Sequence, residues 1–164
     1  MRKADIIQTK ILSLPELQRR LAQWRINNDK TVAFTNGCFD ILHRGHIFSL
    51  SQAAAEADYL VVGLNSDAST RGLKGPGRPV NDESARALLL ASLLMVDAVV
   101  LFDDPTPLAL ITAILPDVLV KGGDYTIDQI VGAKEVMANG GRVVINPIVQ
   151  GYSTTGLIEK ITRL

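Results

Sequence analysis

The sequence predicts an α/β protein with one parallel sheet whose two faces are both covered by helices. Short runs that are nearly continuous in apolar residues alternate with amphipathic segments along the chain, a pattern typical of strands buried on both faces. At 164 residues, the chain has the length of one domain rather than two. Because strands that alternate with helices are joined by right-handed crossovers, we expect a single doubly wound, Rossmann-like domain with a five-stranded sheet.

The first 30 residues are expected to form an N-terminal helical extension. Ser13 is a helix-capping residue, and Glu16, three positions later, completes a capping box. Leu17, Leu21 and Trp24 are spaced so that they share one face of this helix. We therefore divide the chain into an extension, residues 1–30, and a main α/β domain, residues 31–164, within one globular unit.

The strands and helices of residues 31–164 follow from local signals. Each apolar run is too short for a helix and is rich in Val, Leu or Ile. The predicted strands are 31–35, 59–64, 98–102, 118–121 and 142–146. Capping residues and a proline mark the helix starts between them. These starts lie near Asn81, Thr106, Thr126 and either Ser153 or Thr154.

Charge and composition exclude several classes of function. Lys and Arg together number 17, as do Asp and Glu, and without a basic run nothing favours a nucleic acid or an anionic membrane as partner. No apolar stretch is long enough to span a bilayer, and the N-terminus lacks the apolar segment of a signal peptide. The single cysteine, Cys38, cannot form an internal disulfide, which fits a reducing compartment. We expect a cytoplasmic enzyme.

Residues 35–46, Thr-Asn-Gly-Cys-Phe-Asp-Ile-Leu-His-Arg-Gly-His, are the most informative segment. They follow the first strand of the domain and lead into a helical pattern over residues 47–57. Free N–H groups and the positive end of the helix dipole make such a helix start an anion site, and Gly37 and Gly45 let a ligand approach the backbone. The layout therefore predicts a nucleotide phosphate site at the carboxyl end of this strand.

Both histidines of the chain lie at this helix start. His43 and His46 are three residues apart, so they share one face and can both donate hydrogen bonds to phosphate oxygens. An isolated pair of this kind is more often a loop cap or a core histidine, but their joint position at a glycine-bounded helix start favours the phosphate site. A zinc site is the other alternative, and it lacks a third histidine to complete its ligands. We therefore predict no metal held by protein side chains alone.

The connection over residues 66–80 is expected to be a functional loop rather than a domain boundary. Lys74 lies among glycines and prolines in it, a composition suited to a mobile flap that carries a cation over bound phosphates. The alternative is a solvated lysine in a flexible connector. Arg78 and Arg86 are the other cations nearby.

The His-x-Gly-His motif resembles that of a family of small nucleotidyltransferases. Other segments also look like blocks of that family: 65–69 (Asn-Ser-Asp-Ala-Ser), 74–81 (Lys-Gly-Pro-Gly-Arg-Pro-Val-Asn), 121–126 (Lys-Gly-Gly-Asp-Tyr-Thr) and 151–155 (Gly-Tyr-Ser-Thr-Thr). They span most of the chain, and they are most similar to the adenylyltransferase half of the bifunctional ADP-heptose synthases and to stand-alone versions of that half. In this family, a phosphate-bearing acceptor attacks the α-phosphorus of a nucleoside triphosphate and pyrophosphate leaves.

The resemblance, together with the positions of these residues, implies their roles. The expected catalytic residues, which stabilise the transferred phosphate and the leaving pyrophosphate, are His43, His46, Lys74 and Arg86. The expected nucleotide-binding residues are Thr35, Asn36, Gly37, Cys38, Phe39, Gly45, Lys121, Gly123, Asp124, Tyr152, Ser153, Thr154 and Thr155. The expected acceptor-binding residues are Asn65, Asp67 and Arg78. For the segment that begins at Asn65, an ordinary Asx turn is an equal alternative.

The resemblance also implies a reaction, in which AMP passes from ATP to D-glycero-β-D-manno-heptose 1-phosphate without a covalent enzyme intermediate. Mg²⁺ is expected with the ATP, a separate sugar kinase is expected to supply the acceptor, and a homodimer or higher oligomer is typical of small relatives. One departure bears on the base. Relatives that use CTP often carry an Arg-Thr pair where this chain has Ile148 and Val149, which weakens the cytidylyltransferase reading.

Two alternatives stay open at this point. One is a cytidylyltransferase that acts on glycerol 3-phosphate or on another small phosphate or phosphonate. The other is a regulatory module that binds a nucleotide without turnover.

Overall fold

Six parallel strands form one sheet in the computed structural model, which describes residues 4–26 and 30–164. The strands are β1 Ile11–Leu12, β2 Val32–Gly37, β3 Tyr59–Asn65, β4 Ala98–Phe102, β5 Val118–Gly122 and β6 Arg142–Asn146. Their order across the sheet is β1-β4-β3-β2-β5-β6. Because the order reverses between β2 and β5, the point where doubly wound folds bind ligands lies at the carboxyl ends of these two strands.

Helices connect the strands and cover both faces of the sheet. The α-helices of the described residues are α1 Leu14–Trp24, α2 Arg44–Ala54, α3 Asp67–Lys74, α4 Glu83–Ala91, α5 Leu108–Ile114, α6 Ala133–Ala138 and α7 Thr154–Thr162. Short 3₁₀ turns occur at Ala4–Ile6, Gln8–Lys10 and Ile127–Gln129. Within the described ranges, no helix combines the length and the apolar character needed to cross a bilayer.

The five strands expected from the sequence are all present, but the expected count of five is wrong because residues 11–12 add a sixth. β1 pairs in parallel with β4, with Ile11 opposite Val99 and Leu12 opposite Val100. A strand of two residues is too short to produce a recognisable apolar run. The N-terminal extension thus supplies a strand as well as a helix. Its residues 1–3 and 27–29 lie outside the described residues, and the division of the chain at residue 30 stays a prediction.

Helix α1 forms as its sequence predicts. The Ser13 backbone N–H donates to the Glu16 carboxylate at 2.8 Å, which completes the capping box. Leu17 and Leu21 are buried, and Trp24 stacks on Tyr59 with ring centroids 4.1 Å apart. The apolar side of α1 therefore covers the sheet.

Each face of the sheet carries its own apolar core. Helices α1, α5 and α6 cover one core, which we call the α5 face, and helices α2 and α4 cover the other, which we call the α2 face. Strand residues at the centre of the α5 face are Phe34, Val61 and Leu119, and those of the α2 face include Ala33, Val62 and Val120. Because successive strand residues point to opposite faces, the face of each residue at a strand end follows from its neighbours.

The connection over residues 66–80 differs from the expected long loop, because residues 67–74 form helix α3. The Ser66 hydroxyl caps this helix by accepting a hydrogen bond from the Ser69 N–H at 3.1 Å. Thr70 and Gly72 are weak helix formers, which made the segment resemble a loop. Burial of Ser69 and Thr70 against the rest of the protein offsets this weakness.

Three helix starts are also displaced from their expected positions. For α5, which was expected to start near Thr106, the residue at the N-cap position is Pro107. Ser153 caps α7, as one of the two alternatives predicted. Thr126, however, begins only a 3₁₀ turn, and α6 starts later, at Ala133. In α4 the capping side chain is Asp82, one residue after the expected position.

Candidate active site

A cavity of about 670 Å³ opens at the carboxyl ends of β2, β3 and β5, within the size range of ligand sites. Most of the residues expected at the site line it: Thr35, Asn36, Gly37, Cys38, Phe39, His43, Gly45, His46, Asn65, Lys74, Arg78, Lys121, Tyr152, Ser153, Thr154 and Thr155. A smaller cavity of about 210 Å³ lies by α5 and α6 and has none of the expected residues in its lining. The expected site is therefore one continuous space at the switch point of the sheet.

The N-termini of two helices meet at this cavity. Helix α2 begins after His43, whose carbonyl accepts from the His46 N–H at 2.9 Å. Helix α7 begins after Ser153, whose hydroxyl accepts from the Gly156 N–H at 3.0 Å. The first N–H groups of both helices have no partner within their own helix, and both dipoles present their positive ends. Together they can hold a polyanion such as a triphosphate.

The two histidine rings stack on each other between these helix starts. The ring centroids of His43 and His46 are 3.8 Å apart with an interplanar angle of 17°. Nδ1 of each ring is buried and makes no hydrogen bond of ordinary geometry within residues 4–26 and 30–164.

Burial keeps both rings neutral at pH 7. It lowers the pKa of His43. For His46, burial and the adjacent His43 lower the pKa to about 4, although the nearby Ile41 carbonyl offsets part of this shift. A neutral imidazole still donates one N–H, so the pair can act as hydrogen-bond donors without bringing a permanent charge.

The backbone around the histidines is shaped to allow this packing. Phe39 has a left-handed φ of 46°, which is uncommon for a residue other than glycine, and its ring lies 5.2 Å from the ring of His46. A Cβ at Gly45 would lie 3.0 Å from the His43 ring and 3.3 Å from the Cβ of Tyr152. Glycine at position 45 thus permits the close approach of α2 to the start of α7.

Lys121 is a half-buried cation in the lining of the cavity. Burial lowers the pKa of its ammonium group, and the Cys38 sulfur offsets part of this shift. Its hydrogen bond to Asn36 Oδ1 is long, at 3.4 Å. None of the ion pairs formed by the described residues includes Lys121.

Asp40 joins the phosphate-site turn to the segment that follows α3. Its carboxylate accepts from Arg78 Nε at 2.5 Å and from the N–H groups of Val80 and Asn81 at 2.7 and 3.0 Å. Burial raises the pKa of Asp40, but the hydrogen bonds from Arg78 and the two N–H groups outweigh it, so the net pKa is lowered. Asp40 therefore has a structural role, because it ties the turn after β2 to the segment that follows α3.

Arg86 occupies a different place from the one expected. Its side chain is 0% exposed and donates to the carbonyls of Cys38 at 2.6 Å, Asn65 at 2.8 Å and Asn81 at 3.0 Å. It also donates to the Asp67 carboxylate at 2.7 Å. Because these internal oxygens occupy the guanidinium and it does not line the cavity, the expected contact with the triphosphate is corrected to a positioning role.

Three other expected residues also lie outside the cavity lining. Asp67 was expected to bind the acceptor, but its carboxylate pairs with Arg86. Gly123 and Asp124 were expected to bind the nucleotide, but neither lines the cavity. Gly123 has a φ of 126°, and a Cβ there would lie 2.9 Å from the ring of Tyr125. The turn after β5 therefore presents Tyr125 to the cavity instead.

Sequence reasoning missed several lining residues, of which Thr106 and Tyr125 bear most on function. Both follow the carboxyl end of a strand, β4 for Thr106 and β5 for Tyr125. Position after a strand end is the signal that could have identified them. Lys74 does line the cavity, although it is the exposed last residue of α3 rather than part of a loop.

Side chains for a dedicated metal cage are not assembled in this part of the chain. No group of three or more His, Cys, Asp or Glu side chains in the described residues is arranged to hold a metal ion. The carboxylate in the cavity lining, that of Asp40, is already engaged by Arg78. The lining does offer neutral oxygens from Asn, Ser and Thr, which suit a hydrated Mg²⁺ that arrives on a triphosphate.

Relatives with curated descriptions match nearly the whole chain. The chain is 58% identical over 151 residues to the "bifunctional protein HldE" of Mesorhizobium japonicum, which covers 92% of this chain and 30% of that protein. It is 55% identical over 155 residues to the protein of the same name from Koribacter versatilis, covering 94% of this chain and 32% of the relative. The chain thus spans about a third of the length of these relatives.

Solved structures share the fold. The lipopolysaccharide core biosynthesis protein from Thermoplasma volcanium matches with a TM-score of 0.60 and 28% identity, over 76% of this chain and 99% of that one. The pantoate-beta-alanine ligase of Francisella tularensis matches with a TM-score of 0.57, over 94% of this chain and 78% of that one. Its identity of 14% supports likeness of fold alone.

The family model described as "Cytidylyltransferase-like" matches residues 34–160, a range that contains both helix starts and the histidine pair. This match confirms the resemblance drawn from residues 35–46, and the relatives agree with it. The chain belongs to the cytidylyltransferase-like family of nucleotidyltransferases.

Proposed function

We propose that this chain transfers AMP from ATP to D-glycero-β-D-manno-heptose 1-phosphate, giving ADP-heptose and pyrophosphate for cell-envelope polysaccharide. The observation that carries the proposal is the stacked pair of neutral histidines between the N-termini of α2 and α7 in one cavity. High identity to proteins named bifunctional HldE and likeness to a lipopolysaccharide core biosynthesis protein support the choice of pathway.

The mechanism we propose is direct in-line transfer. An oxygen of the acceptor phosphate attacks the α-phosphorus, and the bond from the α-phosphorus to the bridging oxygen breaks as pyrophosphate leaves. Such reactions depend on positioning and on stabilisation of charge rather than on a protein nucleophile. His43 and His46 donate to the oxygens on which negative charge builds up, and the helix N-termini hold the rest of the triphosphate.

Mg²⁺ accompanies ATP in this proposal and neutralises charge on the triphosphate. Because the carboxylate of Asp40 is engaged by Arg78, phosphate oxygens and water supply most of its ligands. Lys74, at the exposed end of α3, is the cation placed to reach over the phosphates once substrates are bound.

ATP is the proposed donor, and CTP is the alternative. The family description favours the alternative, with glycerol 3-phosphate or another small phosphate as acceptor. Against it, Ile148 and Val149 stand where CTP-specific relatives often carry Arg and Thr. A cytoplasmic location, supply of the acceptor by a sugar kinase, and assembly as a homodimer or higher oligomer belong to the same proposal.

The test is pyrophosphate release from Mg-ATP and from Mg-CTP, each with D-glycero-β-D-manno-heptose 1-phosphate and with glycerol 3-phosphate. We expect rapid release only with ATP and the heptose phosphate. A preference for CTP would retain the transferase chemistry and remove the heptose assignment. If no pyrophosphate is released in any of the four assays and ATP still binds tightly, a regulatory nucleotide-binding module would be favoured.

A further inference from the structure

The alternation of strand residues divides the cavity into two halves. Asn36 follows Phe34 by two residues, Asn65 follows Val61 by four, and Lys121 follows Leu119 by two. Phe34, Val61 and Leu119 all belong to the core of the α5 face. Since residues an even number of positions apart share a face, Asn36, Asn65 and Lys121 lie together on the α5 face, across the sheet from α2 and its histidines.

The register of the strands brings these three side chains to one edge. In β2 and β3, Asn36 pairs with Gly63 and Gly37 with Leu64, so that Asn65 is the next residue along. In β5, Lys121 reaches Asn36 directly, with its Nζ 3.4 Å from Oδ1. All three residues line the cavity. The α5 half of the cavity therefore ends in two amides and one ammonium group.

Lys121 has the properties of a residue that binds an anionic ligand. It is largely withdrawn from water, and among the ion pairs of residues 4–26 and 30–164 none gives it a carboxylate partner. A buried charge without a counter-charge is costly. A dianionic phosphate group would relieve this cost, whereas Arg78, another cation of the lining, already has Asp40.

The two amides and their neighbours suit hydroxyl groups. Asn65 is 3% exposed, and its Nδ2 donates to the Ser69 hydroxyl at 3.0 Å, which fixes the amide so that Oδ1 serves as an acceptor. The Thr106 hydroxyl lies in the same lining. Tyr125, 46% exposed at the cavity mouth, adds an aromatic ring of the kind that packs on sugar rings. This combination fits a phosphorylated polyol.

We infer that the α5 half, formed by Asn36, Asn65 and Lys121, is the acceptor subsite, with Lys121 Nζ bound to the acceptor phosphate and the amides bound to sugar hydroxyls. The inference rests on the proposed function and deepens it, and it moves Asn36 and Lys121 from the nucleotide to the acceptor. An acceptor held here attacks from the α5 side, opposite the histidines on the α2 side. The new P–O bond uses a lone pair of the acceptor phosphate, and the electron pair of the broken bond leaves with pyrophosphate, so Lys121 transfers no proton.

The test compares Lys121→Met, Lys121→Arg and a control, Lys160→Met, which removes an exposed lysine in the last turn of α7. With Lys121→Met we expect the KM for the heptose 1-phosphate to rise roughly tenfold to 100-fold, the loss typical of a hydrogen bond to a charged group. The KM and the equilibrium binding of Mg-ATP should change far less than the acceptor KM, because the helix N-termini on the α2 side still hold the triphosphate. Lys121→Arg should recover part of the acceptor affinity, and Lys160→Met should match the wild type.

A second variant protects the test if Lys121→Met fails to fold. Asn36→Asp places a carboxylate beside the lysine, so it competes with the acceptor phosphate while the lysine stays in place. It should raise the acceptor KM and leave ATP binding intact. Thermal unfolding of each variant identifies any that is misfolded.

The outcomes separate this inference from the proposed function. If wild-type turnover is normal but both variants weaken ATP binding and leave the acceptor KM unchanged, the subsite is wrong and the function stands. If the wild type releases no pyrophosphate with the heptose phosphate, while inorganic phosphate binds to it and not to Lys121→Met, the function is wrong and the anion subsite stands.

Discussion

The two halves of the cavity differ in how they carry charge. On the α2 side, His43 and His46 are half-buried and neutral, with a pKa of about 4 for His46, and the remaining donors are backbone N–H groups of helix starts. On the α5 side, the amino group of Lys121 has no carboxylate partner among the described residues. Neutral donors respond to charge that develops during reaction, whereas a fixed ammonium binds an anion that is present from the start. Changes on the α2 side should therefore act on kcat, and changes on the α5 side on acceptor binding.

The largest effect is expected from His46→Ala. Loss of a donor aimed at developing charge typically lowers kcat by about 100-fold to 1,000-fold. Equilibrium binding of Mg-ATP should change little, because the helix N-termini still hold the triphosphate. Single-turnover rates and ATP binding measured on the same preparation test this. Equal losses in rate and in ATP affinity would show that the α2 side binds the ground state, and the contrast between the halves would disappear.

Arg86→Met should have the next largest effect, on stability, because Arg86 ties the two halves together. It donates to the Cys38 carbonyl beside the histidine motif and to the Asn65 carbonyl at the acceptor end of β3. Removing one member of a buried, hydrogen-bonded charge network typically costs about 3 kcal/mol of unfolding free energy. Urea unfolding measures this cost.

Leu88→Met, on the exposed side of the same helix, is the matched control for Arg86→Met. The two variants should differ by most of the expected cost. An Arg86→Met protein as stable as the control, with weakened ATP binding instead, would restore the original expectation that Arg86 contacts the triphosphate.

Lys74→Ala tests an exposed cation that belongs to neither buried half. It should lower kcat by about tenfold, the value of one charge-assisted hydrogen bond, without altering the free energy of unfolding. Lys160→Ala serves as the control for loss of an exposed lysine. An unchanged rate would mean that the end of α3 is only a connector.

The histidine half could be recognised from sequence because it is local. Residues 35–46 contain the turn, both glycines and both histidines in one continuous stretch, so their spacing alone placed them at a helix start. The strands that support them were also visible, since each forms an unbroken apolar run. Only β1 was not predicted, because a strand of two residues is too short to show an apolar pattern.

The lysine half could not be recognised in this way because separate strands assemble it. Asn36 and Lys121 are 85 positions apart, and their meeting depends on the adjacency of β2 and β5. The role of Arg86 could not be predicted for the same reason. The sequence shows a basic residue near a phosphate site, but it does not show that backbone carbonyls from three different segments accept hydrogen bonds from its guanidinium group. Helix α3 was missed for a third reason. Its residues have weak helix propensity, and the helix is stabilised instead by the Ser66 cap and by the burial of Ser69 and Thr70.

The smallest expected effect is a dependence of stability on pH that comes from the histidine half. The pKa of His46 is about 4 in the folded protein against roughly 6.5 for an unperturbed histidine. Between these values the unfolded chain binds more protons than the folded one, so the free energy of unfolding falls as the pH is lowered through this window. From pH 7 to pH 5 the contribution should be about 1 kcal/mol after allowance for partial solvent access, and His46→Gln should remove it. Urea unfolding at the two pH values measures the difference. An equal pH dependence in the wild type and in His46→Gln would show that His46 has the same pKa in the folded and the unfolded chain. The fold would then not keep the ring neutral, the histidine side would gain charge below about pH 6.5, and the reason to expect the effects of the two halves on kcat and on acceptor binding to separate would be lost there.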